Sequence, residues 1–312
     1  MRARIAFGIL VLVGCVGAVQ AQTIDPFYAG SYSYADLGPV SDVPLNYGGL
    51  TLKLGDPNTL LIGGLANGSA GGLYSVNLIR DIDGHITGFS GLSTRVADAA
   101  YNDGGVVYGP GNVLFLARWP VNELGQTLPG SGITDKITSL APYGVEGSLS
   151  ALNFVPAGYP GAGRMKLVTW AGGQWLDTSV TPDGLGTYDL GTVTDIPASR
   201  LGGGPEGFTY VPLGSPLFPV PTMIVSEYSA GNVATYELDA NGDPIVATRR
   251  AFLTGLSGAE GAFIDPLTGD FLFTTYGGGN HMVAVRGFVP EPASATLLLL
   301  SGLAALRRRA AR

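Results

Sequence analysis

One short pattern recurs five times along the chain and brings an acidic or polar residue to a similar place each time. In each copy that residue precedes one or two glycines, a short apolar segment and a turn containing Pro or Gly. The copies begin at Tyr47, Asp103, Glu146, Glu206 and Glu260, at spacings of 56, 43, 60 and 54 residues. Carboxylate oxygens are the ligands that hard cations prefer. If the copies surround one axis, the four carboxylates at Asp103, Glu146, Glu206 and Glu260 would converge and could hold Ca²⁺.

The same residues have a second interpretation, because an Asp or Glu before Gly can cap a turn by accepting bonds from nearby backbone N–H groups. Asn102 and Tyr47 lie at neighbouring positions of the pattern and could add oxygen ligands. Residues 81–84 and 239–243 resemble fragments of calcium loops, but neither has the closing Glu of an EF-hand loop. We interpret these two segments as hairpin turns.

Signals for catalysis are few. The chain has only two histidines, His85 and His281, and it lacks both a Gly-x-Ser-x-Gly elbow and a His-Glu-x-x-His motif. Aromatic rings could instead stack on the faces of sugars. The candidates are Trp119, Trp170, Trp175, Tyr143, Tyr159 and Tyr276. The pattern places Trp170 in a strand, where a core position is expected, and Trp175 in a loop after two glycines.

Short apolar strands alternate with Gly, Pro, Asn and Asp clusters, and no amphipathic helix is evident between residues 23 and 288. Each copy of the pattern leads to a second strand. A third and a fourth strand follow as a hairpin at residues 73–78 and 86–89, and again at residues 233–238 and 245–248. Four strands per unit at this spacing are typical of a β-propeller. The sequence predicts an all-β propeller of five four-stranded blades, or six if one spacing hides an irregular blade.

The last copy has room for only three strands between Glu260 and Phe288. We expect residues 27–37 to supply the missing strand, which would close the ring and remove an open edge. A β-sandwich whose copies are similar by accident is the alternative. The units resemble blades of NHL-type and gluconolactonase-like propellers, and that resemblance concerns architecture alone.

The N-terminus predicts export. A basic start, an apolar run from Ile5 to Val13 and small side chains up to Ala21 follow the order of a secretory signal peptide, residues 1–21, cleaved after Ala21. The segment before Cys15 also resembles a lipobox, in which that cysteine would be acylated. Cleavage after Ala21 is the favoured interpretation, and it leaves a mature chain without cysteine or disulfides.

The C-terminus, residues 289–312, carries three elements in order: Pro290-Glu291-Pro292, the uncharged apolar residues 293–306, and Arg307-Arg308-Arg309. Fourteen apolar residues make about 21 Å of helix, short of the roughly 30 Å hydrocarbon core. The arrangement resembles the tail of PEP-CTERM proteins. That resemblance implies a Gram-negative host, recognition of a short transmembrane helix by an exosortase, transient anchoring at the inner membrane, and traffic to the outer surface or matrix, often with exopolysaccharide.

The body between these ends, residues 22–288, is acidic. Residues 22–290 hold 11 Lys and Arg against 23 Asp and Glu, a net charge of −12. Such a surface disfavours nucleic acid as a partner, because phosphate must be neutralised by basic groups. We therefore predict an exported cell-envelope protein that meets signal peptidase and exosortase on its way out. Its propeller would bind exopolysaccharide or envelope proteins without catalysis, the alternative being a Ca²⁺-dependent hydrolase or lactonase acting in the propeller channel.

Overall fold

The computed structural model describes residues 22–277 and 280–290. The predicted cleavage residue Ala21 and the lipobox cysteine Cys15 lie outside the described residues. So does the predicted tail beyond Pro290, namely Glu291, Pro292, residues 293–306, Arg307, Arg308 and Arg309. Within the described ranges, no helix combines the length and the apolar character that crossing a membrane requires.

The described part of the chain folds almost entirely as strands. In chain order they are β1 (Thr23–Ile24), β2 (Ser33–Gly38), β3 (Leu50–Lys53), β4 (Asp56–Gly64), β5 (Gly72–Arg80), β6 (Ile86–Asp98), β7 (Asn102–Tyr108), β8 (Leu114–Arg118), β9 (Glu123–Thr127), β10 (Lys136–Ser139), β11 (Leu149–Phe154), β12 (Met165–Thr169), β13 (Trp175–Thr178), β14 (Val180–Pro182), β15 (Tyr188–Leu190), β16 (Thr194–Asp195), β17 (Pro205–Tyr210), β18 (Thr222–Glu227), β19 (Asn232–Glu237), β20 (Arg250–Thr254), β21 (Ala259–Ile264), β22 (Phe271–Thr275) and β23 (Met282–Arg286). Short 3₁₀ turns lie at Pro110–Asn112, Ala141–Tyr143, Pro197–Ser199 and Val246–Thr248.

These strands form five antiparallel blades around one axis, so the predicted β-propeller is confirmed. From the axis outwards, the first blade is β3-β4-β5-β6, the second β7-β8-β9-β10 and the third β11-β12-β13-β16. The fourth is β17-β18-β19-β20 with β1 added at its edge, and the fifth is β21-β22-β23-β2. The five recurring segments of the sequence supply the five inner strands, which is why their repetition predicts the ring.

The N-terminal segment closes the ring as predicted. The fifth blade has three strands from the end of the chain, and β2 pairs antiparallel with β23 as the fourth, with Tyr34 opposite Val285. Tyr28 and Tyr32, just before β2, pack in one ring cluster with Phe252 of the fourth blade and Phe288 after the fifth. The two ends of the described chain are thereby held in a single apolar core.

Apolar side chains fill the spaces between neighbouring blades rather than one central core. Each of the five clusters of buried residues joins two adjacent blades, as in the cluster that places Leu73 of the first blade against Leu116 of the second. Strands buried on both faces explain why the sequence shows apolar runs in β8 and β22.

Two details differ from the sequence prediction. Residues 245–248 were expected to form the outer strand of the fourth blade, but they form a 3₁₀ turn, and β20 takes the outer place. Thr248 explains the difference, because its hydroxyl donates to the carbonyl of Ile245 at 2.7 Å and stabilises the turn. The third blade also carries an extra hairpin, β14-β15, before its outer strand β16.

The inner strands pack directly against one another at the axis, because glycines lie where they meet. A Cβ atom on Gly207 would stand 2.6 Å from the carbonyl oxygen of Glu260, and one on Gly49 would stand 2.5 Å from that of Gly104. β7 touches β17 and β21 across the axis as well as its neighbours in the ring. The axis is therefore filled by backbone at this level, and the residues that open each inner strand are packed closely together.

Candidate metal centre

Three carboxylates meet where the inner strands begin. Asp103, Glu206 and Glu260 are each the second residue of an inner strand, in the second, fourth and fifth blades. In all three strands the pairing register shifts at this position. Such bulges turn a side chain out of the regular alternation. The three side chains bring one oxygen each to within 4.8 Å of the others.

The cluster is sealed from solvent and lacks countercharges. Asp103 is 0% exposed, Glu260 1% and Glu206 6%. One oxygen of each, Asp103 Oδ2, Glu206 Oε2 and Glu260 Oε1, is buried without a hydrogen-bond partner. No ion pair among the described residues joins a Lys or Arg to any of the three. Buried carboxylates in this state must either retain protons or bind a cation, because an unpaired buried charge is strongly unfavourable.

Burial also sets the protonation of the cluster. It raises the pKa of Asp103 to about 7, although hydrogen bonds from Glu260 and Glu206 act in the opposite direction. The pKa values of Glu206 and Glu260 are raised as well, first by burial and then by the charge of neighbouring carboxylates. Without a cation, protons shared among the three side chains hold the cluster together near neutral pH.

The turn between β4 and β5 adds a fourth polar group. The side-chain amide of Asn67 lies 2.9 Å from Asp103 Oδ1 and 3.3 Å from the carbonyl oxygen of Asn102. With its nitrogen towards these atoms, the amide donates a hydrogen bond to each. Turned over, it presents its oxygen to the same place, which is the orientation that a bound cation would require. Asn67 can therefore serve the protonated cluster as a donor or a cation as a ligand.

The donor set fits a hard divalent cation. Ca²⁺ lies about 2.3–2.6 Å from its oxygen ligands, so oxygens on opposite sides of one ion stand roughly 5 Å apart. The three carboxylate oxygens satisfy this limit, and the amide oxygen of Asn67 and the carbonyl oxygen of Asn102 lie beside them. All of these ligands are oxygens, whereas Zn²⁺ sites usually include nitrogen or sulfur.

The fourth predicted carboxylate does not join the cluster, so its inclusion was wrong. Glu146 is exposed in the loop before β11, where its backbone N–H donates to Gln174 Oε1 at 2.7 Å. The second residue of β11 is Ser150, whose Oγ lies 2.7 Å from the carbonyl oxygen of Pro205. The Glu-Gly pair of this blade therefore lies four residues too early, and the third blade contributes a hydroxyl in place of a carboxylate.

The two neighbouring residues considered as extra ligands also lie elsewhere. Tyr47 is buried, and its hydroxyl donates to the carbonyl oxygen of Val40 at 3.2 Å, away from the axis. The Asn102 side chain donates to the carbonyl oxygen of Ala99 at 2.8 Å, and its Oδ1 has no partner. Only the main-chain carbonyl of Asn102 faces the cluster. Asn67 was missed because the Asn67-Gly68 pair marks a turn, but nothing in the sequence places that turn beside Asp103.

Residues 81–84 and 239–243 form turns, as the sequence predicts. Asp81 Oδ1 accepts bonds from the N–H groups of Asp83 and His85, at 3.1 and 2.9 Å. Asp239 Oδ1 accepts from Asn241 and Asp243 in the same manner, at 2.8 and 3.0 Å. Each carboxylate is thus used within its own turn.

The positions expected for Trp170 and Trp175 are exchanged in the structure. Trp175, expected in a loop, is 0% exposed in β13 and donates from Nε1 to Asp243 Oδ1 at 2.8 Å. Trp170, expected in the core, directly follows β12 and is only half-buried. Tyr159 is buried, whereas Tyr143 is 37% exposed in a 3₁₀ turn.

Comparison with known proteins finds likeness of shape and little likeness of sequence. No family model matches the chain, and no curated protein is similar to it in sequence. Among solved structures, a candidate oxidoreductase (glucose dehydrogenase) from Thermus thermophilus is 13% identical with a TM-score of 0.45, covering 81% of this chain and 99% of its own. An auxiliary nutrient binding protein from Bacteroides ovatus is 8% identical with a TM-score of 0.48, covering 81% and 76%. A candidate gluconolactonase is 13% identical with a TM-score of 0.44, covering 87% and 88%. At these values the likenesses carry no argument about activity.

Proposed function

We propose that this protein is an exported cell-surface β-propeller that binds Ca²⁺ at its axis and uses the surrounding face to bind exopolysaccharide without catalysis. The observation that supports the cation site is the cluster of Asp103, Glu206 and Glu260, three buried carboxylates that bring one oxygen each to within 4.8 Å of the others and that each keep one oxygen without a partner. A bound Ca²⁺ would neutralise their repulsion and tie together the second, fourth and fifth blades. The site would then stabilise the fold beneath the face that binds the ligand.

The positions of the histidines favour binding over catalysis. His85 Nδ1 lies 2.7 Å from Asp270 Oδ1, on the opposite face from the cluster. His281 Nδ1 lies 2.7 Å from Asp36 Oδ2 at the outer edge of the fifth blade. These are the only two histidines of the chain. Neither is placed to act as a general base beside the carboxylates, since that role requires hydrogen-bond reach of the reacting group.

The direction of the last strand supports an outward-facing site. β21 begins with Ala259 next to the carboxylates, β22 runs back to that end, and β23 runs away from it. The described chain then ends at Pro290 on the opposite face, where the N–H of Val289 donates to Ser215 Oγ at 3.3 Å. A tail held in a membrane would thus leave the carboxylate face pointing away from the lipid.

Export and sorting rest on the two ends of the sequence. We predict that surface-extracted protein begins at Gln22 and lacks the apolar residues 293–306, since signal peptidase and exosortase would have removed both segments. Mass spectrometry of peptides from surface and cytosolic fractions measures this directly. A chain that retains the tail in the finished surface protein, or that accumulates in the cytosol, would contradict the sorting proposal.

Calorimetric titration with Ca²⁺ tests the cation site. We expect the mature chain to bind one Ca²⁺ and the Glu206→Gln variant to bind it at least about tenfold more weakly, because one charged ligand is lost. Glu146→Gln is the matched control, since it removes an exposed carboxylate outside the cluster and should leave the affinity unchanged.

Two results of that titration would reject the site: no heat of Ca²⁺ binding in the parent chain, or equal affinities for the parent and Glu206→Gln. Hydrolysis of lactones or esters by the parent, lost in Glu206→Gln, would instead favour the Ca²⁺-dependent hydrolase. The raised pKa of Asp103, about 7, is the observation in favour of that second candidate, because a base that titrates near neutrality suits hydrolysis.

A further inference from the structure

Four blades place an aromatic residue at one equivalent position. In each, the residue directly after the second strand, at the turn to the third, is a Trp or Tyr. The four residues, named here the aromatic collar, are Trp119, Trp170, Tyr228 and Tyr276. The first blade has Leu65 at this position. Surface aromatic residues without a common role would lie at unrelated positions, whereas these four share one structural position in four blades.

Backbone bonds place the collar around the carboxylates. The N–H of Trp119 donates to the carbonyl of Tyr101 at 2.9 Å, directly before β7. Those of Tyr228 and Tyr276 donate to the residues directly before β17 and β21, both at 2.8 Å. Asp103, Glu206 and Glu260 are the second residues of those same strands. Collar and cluster therefore occupy the same end of the axis, and the collar borders the carboxylates on three blades.

The rings form two edge-to-face pairs. The ring centroids of Trp119 and Trp170 are 6.2 Å apart at 78°, and those of Tyr228 and Tyr276 are 6.1 Å apart at 72°. All four residues are half-buried, in contrast to the fully buried Trp175. Trp170 Nε1 is a donor without a partner. Partly exposed rings that recur at one position beside the axis are not explained by core packing.

The surroundings of the tyrosines agree with this placement. Burial raises the pKa of Tyr228 and Tyr276, and in both the charge of Glu260 is the next largest cause. The Asn67 side chain also hydrogen-bonds with Tyr276. The phenol groups thus stay neutral and lie close enough to the cluster to feel its charge.

We propose that the aromatic collar is a binding site for a neutral polysaccharide, with sugar rings stacked on the exposed parts of Trp119 and Trp170. This deepens the proposed function and rests on it for the cation. Pyranose rings have an apolar face of C–H groups that stacks on aromatic rings. The net charge of −12 over residues 22–290 opposes a polyanion, which favours a neutral chain.

Tryptophan fluorescence makes the collar directly observable. Two of the three tryptophans of the chain belong to the collar, and the third, Trp175, is sealed in the core. We would titrate the mature chain in Ca²⁺ with dextran, laminarin, galactomannan and polyguluronate, and confirm binding by calorimetry. At least one neutral polysaccharide should change the fluorescence, and Trp170→Ala should bind it about tenfold more weakly.

Controls separate this site from the cation site. Phe27→Ala removes a 48%-exposed ring from the opposite face and should bind polysaccharide as the parent does. Trp170→Ala should keep the parent's Ca²⁺ affinity, because it removes no oxygen ligand. Equal polysaccharide binding in Ca²⁺ and in EDTA would support the collar while removing any role for the cation. The collar is rejected if no neutral polysaccharide binds, if only polyguluronate binds, or if Trp170→Ala binds as tightly as the parent.

Discussion

Replacing Gly104 with alanine is expected to destabilise the protein by more than about 4 kcal/mol and to prevent it from accumulating in folded form. The new Cβ atom would overlap the carbonyl oxygen of Glu206, which belongs to the inner strand of another blade. Neither partner can move aside, since both are backbone in strands that are packed on all sides. A loss of this size approaches the whole stability of an ordinary domain.

Thermal unfolding of purified protein, or its yield in the soluble fraction, measures this effect. Gly202→Ala is the matched control, because a Cβ atom there meets nothing within 4 Å and the backbone is not in the left-handed region. We expect the control to unfold within a few degrees of the parent. A Gly104→Ala chain with the melting temperature of the parent would show that the inner strands do not pack as described.

Gly104 also shows why so much of the fold could be predicted from sequence. Packing at a closed axis favours glycine at the start of the inner strand, and that requirement recurs in four of the five blades, at Gly49, Gly104, Gly207 and Gly261. A repeated physical requirement leaves a repeated sequence, which can be recognised without knowing the structure. The closing strand was predictable for a related reason: the last unit is one strand short, and an open edge is unfavourable.

The site could be predicted only in part, because strand register is not visible in the sequence. Glu146-Gly147 matches Glu206-Gly207 as a pair of letters, yet Leu149 pairs with Thr169 and so fixes Ser150 at the equivalent place. A shift of four residues in a loop leaves the local pattern intact and moves the carboxylate to the surface. Asn67 could not be predicted, since its contact with Asp103 spans two blades and depends on a turn.

The aromatic residues were misassigned through the same ambiguity. Trp170 and Trp175 flank the short turn between β12 and β13, so the sequence alone allows either residue to be assigned to the adjacent strand. The buried partner Asp243, 68 residues further along the chain, decides between them by accepting the indole N–H of Trp175. Comparison of all five blades, rather than of one hairpin, reveals Trp170 as a collar position.

The metal-free protein is expected to lose stability as the pH rises from 5 to 8, and Ca²⁺ is expected to restore it. The pKa of Asp103 lies near 7 in the folded state and near 4 in the unfolded chain. Between these values the folded state binds more protons than the unfolded state, so the free energy of unfolding falls with pH. From pH 5 to 8 the loss is roughly 2.5 kcal/mol for Asp103, because only about two of the three pH units between the two pKa values lie above pH 5, and it corresponds to about 5 °C in melting temperature.

Calcium should act in the opposite sense. A cation that binds only the folded state stabilises it by an amount that grows with its affinity, and protons compete with the cation for Asp103, Glu206 and Glu260. We therefore expect the rise in melting temperature caused by Ca²⁺ to be small at pH 5 and large at pH 8. Melting curves in Ca²⁺ and in EDTA at both pH values measure the effect.

Asp103→Asn isolates the contribution of the cluster. This variant removes the carboxylate that faces Glu206, Glu260 and Asn67, while Tyr228 and Tyr276 stay neutral in this range because their pKa values are raised. Burial also raises the pKa of Asp270, so Asp270 contributes a further loss of stability as the pH rises. The Asp103→Asn variant keeps Asp270 unchanged. Asp103→Asn should therefore show a shallower loss of stability with pH than the parent and little response to Ca²⁺. A parent protein that becomes more stable in EDTA between pH 5 and 8, or an equal effect of Ca²⁺ at both, would mean that these carboxylates do not exchange protons for a cation.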